Sequence, residues 1–120
     1  MSGLIKRSVT ILSGTTNPNI IAGEVFETLN RPSAVRLLVS QTVVALSVLE
    51  LDFNLGNVIV TQAMAPNIAV AAGVVDRDRD GVPAAGGQPT DRIQIRVRET
   101  SGLVGADGIL NFILEITDLA

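Results

Sequence analysis

The chain has 120 residues, 47% of them hydrophobic and only 18% charged, with a net charge of −3. It has no cysteine and no histidine, which excludes disulfides and thiolate metal sites and removes the commonest general base and transition-metal ligand. The acidic balance argues against a nucleic-acid partner, since such domains are usually basic.

This length suits one domain with a real core. Typical soluble domains carry about 25% charge, so so apolar a chain is expected to hide surface against other chains. Only 2% is aromatic, with three Phe and no Trp or Tyr. Val, Ile, Leu and Ala must then fill the core, which suits a thin sandwich of sheets. The apolar run that follows Lys6-Arg7 covers only residues 9–12, too short for a signal-peptide core. The longest weakly polar run, residues 37–49, falls short of the ~20 residues that span a bilayer, so no membrane partner is expected.

Residues 1–7 read as an N-terminal arm and residues 8–120 as a single domain. A short strand is expected over residues 8–12, followed by a turn cluster at residues 14–19 where Pro18 fixes φ. Residues 24–29 suggest another strand before Asn30-Arg31-Pro32-Ser33. From Ala34, Val35, Leu37 and Val39 alternate with Arg36, Leu38 and Ser40. A helix over residues 35–51 is the rival reading, but β-branched residues are dense and no capping box or charged face is present. Two strands breaking near Gln41-Thr42 fit better.

Leu49, Leu51, Phe53 and Leu55 alternate with Glu50, Asp52 and Asn54, the period of a half-buried strand. Gly56-Asn57 then precedes Val58-Ile59-Val60-Thr61, a hairpin signal in which Gly supplies the positive φ of a type II′ turn. A two-residue loop sets Leu55 opposite Val58, Phe53 opposite Val60 and Leu51 opposite Gln62. This hairpin is taken as the centre of the domain. Residues 64–67 form a turn, and Ile68, Val70, Ala72 and Val74 predict a strand whose small-residue face is covered by a neighbour, a second subunit being one option. Residues 76–90 read as a long polar loop. Residues 91–99 give the cleanest strand, with Ile93, Ile95 and Val97 on one face and Arg92, Gln94, Arg96 and Arg98 on the other. After a Gly-rich link, Leu110, Phe112, Leu114 and Ile116 mark a last strand. Seven or eight short strands with such turn spacing predict an all-β fold, an antiparallel β-sandwich, with the jelly roll as one arrangement that fits.

Three motifs bear on chemistry. Asp76, Asp78 and Asp80, followed by Gly81, match the start of a calcium loop. The twelfth position is Gly87 where a bidentate Glu is needed, and Arg77 and Arg79 cancel part of the attracting charge. A truncated site would have to borrow Asp91 or a backbone carbonyl, and a solvated loop with self-neutralising charges is the plainer alternative. The Arg92, Arg96 and Arg98 stripe suits phosphates or an acidic surface, yet pairing with Glu50, Asp52 or Glu115 on adjacent strands is the plainer expectation. Glu50, Asp52 and Glu115 are the only basis for a carboxylate hydrolase. Without histidine partners, aromatic sugar platforms or a phosphate loop, no catalytic residue and no cofactor are expected.

The order in the second half matters further. A strand ends near Ala65-Pro66, small residues and a loop follow, then Asp91-Arg92-Ile93-Gln94-Ile95-Arg96-Val97-Arg98, a Gly-containing link and a final apolar strand. Over roughly residues 31–119 this resembles small β-sandwich structural proteins of tailed bacteriophage particles, including capsid decoration (cement) proteins. The resemblance implies a non-enzymatic virion subunit on the capsid surface. It would bind major capsid protein and associate with itself, commonly as trimers. The Asp76-Asp78-Asp80 motif supports a different class, an extracellular calcium-stabilised binding or adhesion module.

Overall fold

The structure, a computed structural model, describes residues 3–42, 46–69, 73–76, 80–82 and 84–119. Nine strands are found among them: β1 (Gly3–Ile11), β2 (Thr16–Asn17), β3 (Ser33–Thr42), β4 (Leu49–Leu55), β5 (Val58–Met64), β6 (Asn67–Ile68), β7 (Ala85–Gly87), β8 (Ile93–Glu99) and β9 (Gly108–Asp118). The first sheet runs β1-β9-β3-β6, with β7 also beside β3, and the second runs β2-β8-β4-β5. All pairings are antiparallel except the two-residue β3–β6 contact.

The two sheets pack as a β-sandwich. Strand alternation sends Val35, Leu37 and Val39 of β3 and Leu110, Phe112, Leu114 and Ile116 of β9 into the core. Leu49, Leu51, Phe53 and Leu55 of β4 meet them with Ile93, Ile95 and Val97 of β8. Gly87 and Gly108 sit where a side chain has no room. A Cβ at Gly108 would lie 2.6 Å from Leu49 Cδ2, and one at Gly87 would strike Leu29. The chain exposes 6064 Å², close to the ~6,200 Å² expected of a compact monomer of its mass. The sandwich therefore closes on itself, and its apolar excess lies in exposed side chains.

The pairing is nested. The first strand lies beside the last, β2 beside β8, β3 beside β7, and β4–β5 is the innermost hairpin. The hairpin read as the centre of the domain is innermost in this nesting, but in space it forms the edge of the second sheet, where β5 pairs only with β4 among the described residues. Gly56 takes φ 59° while Asn57 stays at negative φ, as type II′ requires. Leu55 faces Val58 as expected, but Phe53 faces Thr61 and Leu51 faces Met64. Bulges in β5 add residues that a strict period of two cannot anticipate.

Several expectations are corrected. From Gly3 onward the expected arm of residues 1–7 is the first half of β1, paired with β9 from Gly3↔Ile116 to Ile11↔Gly108; Met1 and Ser2 lie outside the described residues. Polar Lys6 and Arg7 mask the strand pattern because β1 is an edge strand with one wet face. Residues 24–29 hold a 3-10 turn, Val25–Glu27, and a single bridge, Thr28↔Arg92. Of the strand expected over residues 68–74 only Ile68 is in β6; Gly73 turns at φ 76°, and residues 70–72 lie outside the described residues. The loop expected over residues 76–90 is partly sheet, with Leu38↔Gly81 and β7 both alongside β3. Glycines let that backbone lie close to its neighbours.

Candidate interaction surfaces

The arginine stripe is the outer face of the second sheet. Register sets Glu50 opposite Arg98, Asp52 opposite Arg96 and Asn54 opposite Gln94. Arg98 donates to Glu50 Oε2 at 2.7 Å and to Asp52 Oδ2 at 2.7 Å, and Arg96 Nη2 lies 3.3 Å from Asp52 Oδ2. Arg92 pairs with Glu27 at 2.8 Å. The pairing expected with Glu50 and Asp52 is present, so the stripe is a neutralised ladder rather than a free cationic track.

Asp52 has a second task. Its Oδ1 accepts the Ala63 N–H at 2.7 Å, fixing the β5 bulge where Ala63 adopts φ 52°. Burial works to raise the Asp52 carboxyl, but the Ala63 N–H and the Arg98 guanidinium outweigh it and hold it below its usual range. Those two carboxylates in turn raise Arg98. The three candidate hydrolytic carboxylates do not form one site: Arg98 joins Glu50 and Asp52, and Glu115 is apart from them. Glu50 and Asp52 lie on one sheet, while Glu115 lies on the other, in register with Arg36 and Leu4. No pocket is found among the described residues.

The acidic loop is tied into the fold. Asp78 lies outside the described residues. Asp80 is buried, its Oδ2 accepts the Asp76 N–H at 2.8 Å, and its own N–H donates to the Asp76 carbonyl at 2.8 Å. Asn67 Nδ2 lies 3.3 Å from Asp80 Oδ1. Asp91 is elsewhere, accepting the Gln88 N–H beside the Gly56 turn. No cluster of three metal-ligating side chains is present among the described residues.

The outer face of the first sheet is partly covered by the chain itself. Asn111, buried, donates to Ser40 Oγ and Thr42 Oγ1 and accepts from Ser8 Oγ. Ser40 Oγ donates to the Val74 carbonyl at 2.7 Å, and the Gly73 N–H to Thr42 Oγ1 at 3.3 Å. Residues 73–76 thus cross this polar belt.

One end of the sandwich is built differently. Glu99 occupies an inward position on β8, following Ile93, Ile95 and Val97, and is buried. Its carboxylate accepts the Val48 N–H at 2.6 Å, Ser101 Oγ at 2.7 Å, the Gly102 N–H at 2.9 Å and the Gly14 N–H at 3.3 Å. Burial alone would raise this carboxyl; its donors, led by the Ser101 hydroxyl and the Val48 N–H, hold it down at about 2. Three loops are gathered by this group. They present Leu12, Leu46, Val48, Leu103 and Val104, all exposed. Ser13 Oγ donates to the Leu103 carbonyl and Ser13 N–H to Asp107, tying the outer two loops together. The period-two reading carried one residue further marks Glu99 as an inward carboxylate, the signal that an end-of-strand reading passes over.

The sheet edges also differ from one another. β1 carries exposed Lys6, and its Arg7 is ion-paired to Glu24. β2 is two residues long and is followed by Pro18. The far side of β3 is covered by β6, β7 and Gly81. β5 has seven residues and no charge, and pairs only with β4 among the described residues. Val58 and Ile59 are 61% and 62% exposed.

No helix among the described residues is long and apolar enough to cross a membrane. Compared with known proteins, the chain matches no family model, no curated protein and no solved structure.

Proposed function

We propose that this chain is a non-enzymatic structural subunit that decorates or cements a virus capsid, associating with itself and docking on major capsid protein. The observation that carries the reading is the apolar end: five exposed aliphatic side chains on three loops held by one buried carboxylate. Loops on a rigid sandwich are where such scaffolds place recognition, and an uncharged aliphatic cluster suits a protein surface of like character. The nested strand order supports reading the sandwich as a jelly roll, an architecture common among capsid proteins. The resemblance over residues 31–119 points the same way. Fold alone does not assign function, so the test is made on particles.

An antibody to the chain should label the outside of intact particles from the source. Chain added back to stripped particles should rebind, and the L103S/V104S double variant should not, while melting unchanged. Particles that carry no label overturn the reading, as does a double variant that rebinds like the parent.

A further inference from the structure

The geometry points to β5 as a self-pairing edge: two copies of this chain join their second sheets through antiparallel β5 strands, with Ile59 facing Ile59 of the second copy across a two-fold axis. This deepens the assembly reading and rests on it, but not on which shell is decorated. Exposed edges are usually protected by charge, proline, shortness, bulges or cover, and the other three edges have such protection. The two bulges of β5 begin only after Ile59, so its exposed start, Val58-Ile59, has no such device of its own. Asn54↔Ile59 is followed by Phe53↔Thr61, so Val60 is the first extra residue.

The hairpin geometry fixes the register. A two-residue loop commits the Val58 N–H and C=O to Leu55, so the next residue, Ile59, turns its N–H and C=O away from β4. The Gly56 N–H, donating to the Arg92 carbonyl on the opposite side of β4 at 2.9 Å, agrees with that alternation. Centring a two-fold on Ile59 lets the two copies exchange both hydrogen bonds there. Val58 then lies across from the partner's Val60, the residue at which the first bulge begins, so the regular contact is centred on Ile59. Every pair is β-branched and apolar, the kind that stabilises cross-strand contacts. Charge permits the match, because residues 53–75 contain no charged residue and self-pairing sets no like charges against each other. A second copy is the occupant that supplies this palindromic edge; the charged β1 edge does not.

The absence of cysteine makes the test clean. Sedimentation equilibrium at high micromolar concentration should give a dimer. I59K, which opposes two ammonium groups at the axis, should weaken dimerisation more than tenfold without lowering the melting temperature. I59P removes only outward-facing N–H groups and should do the same. Under mild oxidation I59C should form a disulfide-linked dimer, since directly hydrogen-bonded residues have Cα atoms about 5.5 Å apart, within the range a disulfide spans; L103C should not. A monomer, a trimer, or a dimer indifferent to I59K overturns the proposal. Particle rebinding by I59K separates this failure from failure of the capsid reading, because that assay reads the apolar end.

Discussion

At the scale of single residues, Glu99 shows how a buried charge is kept with no counter-ion among the described residues. Four donors from three loops replace its water, and its carboxyl falls from 4.5 to about 2. A folded value below the unfolded one adds stability above about pH 4.5, which is lost as pH falls toward 2. Melting curves of the parent should therefore drop across that window. E99Q should start lower at neutral pH and lose less over the same range. Equal slopes for both would show that other carboxylates govern acid unfolding. The sequence made half of this visible. Alternation placed Ile93, Ile95 and Val97 inward, and the same count reaches Glu99. Two of the donors, Ser101 and Gly102, lie within three residues of Glu99, but the other two, the Gly14 and Val48 N–H groups, were not legible because only the tertiary fold brings them there.

At the scale of elements, the β4–β5–β8 face separates weak from strong interactions. Arg96 is half exposed, so its pair with Asp52 is worth under about 1 kcal/mol. The bond from the Ala63 N–H to Asp52 is short and its acceptor buried. Losing that bond costs about 2 kcal/mol. Chemical denaturation should find D52A at least twice as destabilising as R96A; equality would assign the stabilisation to the ion pair. Pairing of the arginine stripe was legible from alternate charges on neighbouring runs. The bulges were not, since no local pattern at Gln62-Ala63 announces φ 52°. Nor was β7, whose Gly-rich run reads as loop until β3 is beside it.

For the whole molecule, strands and sandwich could be read from alternation, whereas strand order could not, because pairings such as Gly3↔Ile116 leave no local trace. The apolar end was legible only in part: Leu103-Val104 interrupts a Gly-rich link and Leu12 precedes a turn, but their proximity depends on the closed sandwich. Phe112, fully buried in the middle strand of its sheet, reports on that closure, and F112A should cost about 3–5 kcal/mol in equilibrium unfolding. A loss below 1 kcal/mol would mean that the sheets pack elsewhere. The position of β9 between β1 and β3 has a consequence for biosynthesis. Until residues 108–118 have cleared the ribosome, neither neighbour has anything to bond to along that flank, so the nascent chain waits with its oiliest segments uncovered. Arrested translation before Gly108 should yield a protease-sensitive product that trigger-type chaperones hold, and emergence of residues 108–118 should be followed by abrupt, all-at-once protection.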